Sequence, residues 1–193
     1  AAHLFDHPDG ELFWWLTDGM RAPDGERVMP AFGDTLSAGD RWDLIDYLRA
    51  HNAGLAFRDS GTPPMPIPAP SMPVRCPDPR IATLADLRGG LVVLAADDPS
   101  LPPPPDLATE DGLPVTVVRL RYGGTGCRAA SGDAWPALAI LAGLAPETLA
   151  GTAFLVDAQG WLRAVRRPAG RPAWSDPARL VTELRDICTQ PLT

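Results

Sequence analysis

The apolar positions of this chain take helical spacing near its start and strand-like runs further on. From Ser37 to His51, Leu44, Ile45 and Leu48 recur three and four apart, the mark of one helix face. Ser37 is suited to cap that helix, Asp40 stands three residues on as a capping-box acid, and Gly54 is placed to close it. The stretch 91–95, Leu-Val-Val-Leu-Ala, is continuously apolar and reads as a strand buried on both faces. A second strand is expected over 115–120, after a proline-rich loop. A helix then starts at Asp133 and carries Trp135, Leu138, Leu141 and Ala142 to Gly143. Residues 154–164 read as two short strands around the polar, glycine-containing turn Asp157-Ala158-Gln159-Gly160. In the last helix Ser175 or Asp176 caps, Pro177 suits the first turn, and Leu180, Leu184 and Ile187 form the apolar face. Strands interleaved with helices, ending in a hairpin and a helix, predict a mixed α/β (α+β) sandwich.

Composition divides the chain. Residues 60–73 hold prolines at nearly every second position, which fixes backbone dihedrals and removes donors, as in a stiff extended spacer. The expected organisation is a small unit over 1–56, a linker over 57–74 and a larger unit over 75–193. The net charge is -7, from 24 acidic and 17 basic residues, all of the latter arginine. That balance argues against nucleic acid as a partner. No apolar run is long enough to span a bilayer, and the first residues lack the basic start and apolar core of a secretion signal. The 3 cysteines show no C-x-x-C spacing, so they form neither a disulfide scaffold nor a metal cluster. One pair with an odd thiol, or three buried free thiols, are both open.

The run Val28-Met29-Pro30-Ala31-Phe32-Gly33 with the helix behind it resembles the distal half of a c-type cytochrome. The preceding stretch, from Asp9-Gly10-Glu11-Leu12 to Gly19-Met20, is similar to the short helix and turn ahead of the methionine loop in such domains. The resemblance implies an electron-transfer protein in which Met29 is the distal haem ligand and Pro30 stiffens its loop. Trp15, Phe32, Leu44 and Leu48 would form the apolar haem-pocket wall, with Leu12 and Leu16 beside them; a thioether opposite histidine raises the haem potential. The attachment sequence C-x-x-C-H is missing. Cys76 is followed by Pro-Asp, Cys127 by Arg-Ala and Cys188 by Thr-Gln. Haem c therefore belongs to the intact protein and is not covalently attachable by this chain alone. The expectation is a piece of a longer exported, periplasmic protein, with its signal or anchor outside this chain.

The second unit resembles a thioredoxin-like domain. The phrase over 83–90, Thr-Leu-Ala-Asp-Leu-Arg-Gly-Gly, before the 91–95 strand is similar to the entry of thiol-disulfide reductase domains, and the 154–164 hairpin to their strand-turn-strand. Where the family has its nucleophilic cysteine, at a helix start after the first central strand, this chain has Ala96-Asp97-Asp98-Pro99-Ser100. Gly151-Thr152-Ala153 stands where a cis-proline is usual. The resemblance thus implies a redox-inactive scaffold and no enzyme, one that orients a redox protein partner or a membrane assembly. In the oxidising periplasm that the cytochrome resemblance implies, Cys76 with Cys127 is the first pairing and Cys127 with Cys188 the second.

Other readings compete. One is a non-catalytic binding module whose N-terminal helices pack on the α/β unit. Another is periplasmic copper handling through Met20, Met29, Met65, Met72, His3 and His7. The glycine run over 123–126 lacks the lysine of a phosphate loop. Asp97-Asp98 and Glu110-Asp111 read as solvated acidic loops, and His51 as a partner for the helix dipole.

Overall fold

The structure, a computed structural model, describes residues 2–61, 63, 65–109, 114–122 and 126–189. Glu110-Asp111, residues 123–125 of the glycine run, and the side chains of His3 and Cys188 lie outside what is described. After a 3₁₀ turn over Ala2–Asp6 come α1 (Asp9–Asp18), the two-stranded β1 (Met20–Arg21) and β2 (Arg27–Met29), and the long α2 (Ala38–Asp59). A seven-stranded mixed sheet follows. It is built from β3 (Ile67–Pro68), β4 (Val74–Arg75), β5 (Leu91–Ala95), β6 (Val115–Arg119), β7 (Cys127–Ala129), β8 (Ala153–Val156) and β9 (Trp161–Arg166). Helix α3 (Ala134–Ala142) precedes β8, and α4 (Pro177–Thr189) follows β9.

The strand order is β3-β9-β8-β5-β6-β7-β4, parallel at β5–β6 and β6–β7 and antiparallel elsewhere. Side chains on a strand alternate between faces, and β5 divides accordingly. Val92 and Leu94 join Val118, Phe154 and Val156 against α2 and α3, whereas Leu91, Val93 and Ala95 join Leu155 and Ala164 against Trp174, Leu180 and Leu184. Both faces are covered, which is why β5 reads as an unbroken apolar run. The architecture is thus mixed α+β, with four α-helices among the described residues.

The turn between β8 and β9 rests on Asp157, which is 2% exposed and accepts from the Gln159 and Trp161 amides at 3.0 and 2.9 Å and from Arg163 Nη1 at 2.9 Å. A buried carboxylate so fully paired escapes the penalty of an uncompensated buried charge. Gly160, at φ +91°, supplies the left-handed residue the turn needs.

The long helix departs from expectation at its end. Helix α2 does not close at Gly54 but runs on to Asp59. A Cβ on Gly54 would lie 2.1 Å from the Ile140 carbonyl oxygen, and one on Gly143 would lie 2.8 Å from the Gly54 oxygen. Glycine here is a contact surface, not a stop. Its helix cost of about 1 kcal/mol is outweighed by the last turns, where burying Phe57 alone contributes roughly 1.5–3 kcal/mol. His51 is accordingly about two turns short of the helix end and stacks on Tyr47, with centroids 5.9 Å apart. It is not the terminal dipole partner expected from the sequence.

The proline-rich stretch is extended, and it also frames the sheet. Ile67–Pro68 pairs with β9 at one edge and Val74–Arg75 with β7 at the other. Edge strands tolerate proline, since one side needs no donor. Met72 and Val74 are buried in the core that α3 shares. Next to the Arg75–Arg128 pair of β4 and β7, Cys76 and Cys127 form a disulfide.

Two outcomes follow from these contacts. Gly54→Ala is expected to destabilise the protein by about 1–3 kcal/mol, because backbone atoms of α3 cannot yield as a side chain can; Gly10→Ala, with open space at its Cβ, should be neutral or mildly stabilising. Urea midpoints of the two variants separate the cases. Thiol titration of the unreduced, denatured chain should find one thiol out of 3 cysteines. Opening the cross-link, which spans 51 residues, should cost about 2–4 kcal/mol.

Candidate functional site

The N-terminal helices and the loop between them assemble around Leu12, Leu16 and Ile45, all nearly inaccessible. In α1 the first two lie one turn apart, and Ile45 reaches them from α2. Against this nucleus pack Leu4, Phe13, Trp15, Met29, Phe32 and Leu44. Met29 is half-buried, at the end of β2 and opposite Met20 in the β1–β2 ladder.

The loop behind Met29 is held by backbone chemistry. Helix α1 ends with carbonyls that lack helical partners, and two of them are taken up by the loop: the Phe32 amide donates to Leu16 at 2.9 Å and the Gly33 amide to Thr17 at 3.1 Å. Gly19 makes the close approach possible. It has φ +74°, and a Cβ there would stand 2.5 Å from the Met29 oxygen and 2.8 Å from the Ala31 nitrogen. A second anchor is the capping box of α2, in which the Asp40 amide donates to Ser37 Oγ at 3.1 Å and the Ser37 amide to Asp40 Oδ2 at 3.0 Å. The Ser37 hydroxyl, then its amide, hold the Asp40 carboxyl below its ordinary 3.8.

Met29, expected as the ligand, is brought together with Trp15, Phe32 and Leu44 of the expected haem-pocket wall. Leu48 lies one turn further along α2, half-buried and outside that cluster, and Pro30 is exposed beside Met29. The methionines considered for copper are divided: Met20 and Met29 share the hairpin, Met72 is buried in the sheet core, and Met65 is exposed. His7 Nδ1 is 3.0 Å from Glu11 Oε2, and its ring meets Trp15 edge-on at 4.6 Å.

Two arginines of α2, which no local spacing in the sequence singles out, also build this site. Arg41 lies over the Phe13 ring at 4.6 Å and donates to Thr17 Oγ1 at 2.5 Å. Arg49 pairs with Asp9 at 2.7 Å and donates to the Leu4 and His7 carbonyls, tying α2 to the first turn of the chain. The i,i+4 pattern of α2 shows which residues share a face, but not that these arginines reach back across α1. Large aromatic surface stays open nearby, with Trp14 57% and Trp42 44% exposed; Trp42 stacks on Phe13 at 4.6 Å.

At the carboxyl end of β5, Asp97 is 4% exposed and accepts the amides of Arg121 and Tyr122 at 2.9 and 3.1 Å. It closes the β5 and β6 ends against each other. Asp98 turns outward to Ser100, whose hydroxyl and amide hold its carboxyl below the usual range. Cys127 is joined to Cys76. Among the described residues no group of three or more His, Cys, Asp or Glu side chains is placed to hold a metal ion, and no helix is long and apolar enough to cross a membrane. No family model matches the chain, and no curated protein matches it.

The capping box has a pH signature. Because the folded-state pKa of Asp40 is depressed, its contribution to stability is fully present above the ordinary carboxylate value and is lost as pH falls through the lower folded value. Asp40→Asn should therefore lower the thermal midpoint at neutral pH, and the gap to the parent protein should close on acidification. A gap that persists unchanged in strong acid would show that the carboxylate charge is not what holds the cap.

Proposed function

We propose that residues 1–56 act as the distal half of a c-type cytochrome in an exported electron-transfer protein, with Met29 as the distal haem ligand. The observation that carries this reading is the pinned loop: Met29 is held at the edge of an apolar cluster with Trp15, Phe32 and Leu44, by backbone bonds to the end of α1 and a glycine that admits no side chain. A thioether fixed beside an apolar wall suits haem iron, since the site's water exclusion and soft ligand both favour the reduced state. The fit extends to the distal half only, because the chain holds no C-x-x-C-H. Haem c, when bound, carries the electron. The residues of this chain do the rest: Met29 presents sulfur, Phe32 and Trp15 keep water off, and Gly19 and the capping box hold the loop in register.

The larger unit is proposed to be thioredoxin-like and redox-inactive, following a unit boundary at the proline-rich stretch. Support comes from the parallel β5–β6 pair, the antiparallel β8–β9 hairpin and the flanking α3 and α4. Asp97 stands near where the family places its nucleophile, already engaged by two amides. A cross-strand disulfide is in keeping with a periplasmic location. In this reading the unit orients a redox protein partner or a membrane assembly, and the exposed Trp14 and Trp42 beside the Met29 loop offer such a partner apolar surface.

The test supplies the missing half in trans. A haem-bearing peptide that contains C-x-x-C-H, and so brings its own histidine, is titrated into the full chain. Sulfur-to-iron charge-transfer absorption should appear with the parent protein and with Met20→Ala, and disappear with Met29→Ala. Equal spectra for all three proteins would reject the ligand assignment and leave a helical packing module on the α/β unit.

A further inference from the structure

The segment between β9 and α4 concentrates positive charge in a protein whose net charge is -7. A cleft of about 320 Å³ there is lined by Arg166, Arg167, Arg171 and Arg179, together with Asp176 and Glu183. Like charges gathered in one concavity repel unless something answers them.

The internal pairing answers them only in part. Glu183 accepts from Arg166 Nε at 2.6 Å through one oxygen and from Arg179 Nε at 3.1 Å through the other. Each guanidinium is thereby oriented; Arg166 Nη1 also donates to the Val165 carbonyl at 3.4 Å, which leaves Arg166 Nη2 and the terminal nitrogens of Arg179 for another acceptor. Arg167 turns its guanidinium to the Ala142 carbonyl at the end of α3. The Arg171 carbonyl accepts the Ala169 amide at 3.3 Å, but its guanidinium has no hydrogen-bond or ion-pair partner among the described residues and is exposed. Asp176 is occupied at the start of α4, where its carboxylate accepts the Arg179 amide at 3.1 Å; the helix end is capped and is not itself the site. Four guanidiniums against two carboxylates leave a formal excess of two positive charges.

We propose that this cleft binds a phosphate-bearing anion, free or as a monoester, with Arg171 and Arg179 as its principal donors. The excess charge matches a phosphate monoester, which carries close to two negative charges near neutrality. Planar arginine forks match its oxygens in pairs, and the volume falls at the small end of ligand pockets. Glu183 is the positioning residue, since it sets the two guanidiniums it bridges. The site is remote in sequence from the Met29 cluster and does not rest on the electron-transfer reading.

Calorimetric titration of the full chain with inorganic phosphate and with glycerol 3-phosphate, at chloride-matched ionic strength, tests this. Saturable binding at one site is expected, weakened about tenfold, or about 1.4 kcal/mol, in both Arg171→Gln and Arg179→Gln, and unchanged in Arg80→Gln, whose side chain is far out in solvent. Circular dichroism confirms that each variant is folded. Tighter binding of the monoester identifies an esterified phosphate as the natural form, and tighter binding of inorganic phosphate identifies the free ion. Absence of saturable heat with either anion, or an equal loss in Arg80→Gln, overturns the proposal.

Discussion

The contact on which the rest of the arrangement depends is the backbone crossing of α2 and α3 at Gly54 and Gly143. Each glycine lies so close to the other helix that a Cβ on either would overlap main-chain atoms. Two helices normally stand apart by the length of their side chains; here the missing side chains let them close up. Ala53 and Phe57 of α2 then enter the same core as Leu138, Ala139 and Ala142 of α3. The reach of the contact is long because α2 is long. Its 22 residues span about 33 Å, so the turn that grips α3 and the turn that carries Leu44 and Ile45 belong to one rigid rod. The position of the Met29 cluster relative to the sheet is set through this helix.

Around Met29 the determining forces are polar, although the cluster is apolar. Three deeply buried side chains are a small nucleus, too small to fix a loop by area alone. The loop is held because it satisfies carbonyls that α1 would otherwise leave open, and because Arg41 and Arg49 stitch α2 to α1 and to the first turn. Apolar contact decides which residues gather there; hydrogen bonding decides the direction in which Met29 is offered. The open aromatic surface beside it follows, since so small a nucleus cannot cover Trp14 or Trp42.

The sheet solves a different problem. Its central strands are covered on both faces, and its edges are closed by the least likely material, a proline-rich segment that supplies β3 and β4. Short edge strands with proline resist pairing with other chains, and the disulfide at the β4–β7 edge holds one of them in place. Buried carboxylates are used as local clamps: Asp157 in the β8–β9 turn and Asp97 across the ends of β5 and β6, each accepting more than one donor. The Thr152 hydroxyl, just before β8, lacks such a partner among the described residues.

The sequence alone determined whatever is written in local spacing. The start of α2 at Ser37, the apolar β5, the β8–β9 hairpin, α3 from Asp133 to Gly143 and α4 from Pro177 are legible because caps, turns and periodicity act over a few residues. So was the grouping of Met29, Trp15, Phe32 and Leu44, since a helix face and a following loop bring them together over a short stretch of chain. What tertiary structure decided is whatever needs a distant partner. Gly54 reads as a stop until α3 is present to fill the space beside it. Strands of two residues, as β3 and β4 are, carry no period of their own and exist only because β9 and β7 offer hydrogen bonds. Arg41, Arg49 and the arginines around Glu183 look alike in sequence; their roles follow from which acceptor the fold sets within reach, because a long flexible cation has no preferred partner until the chain has folded around it.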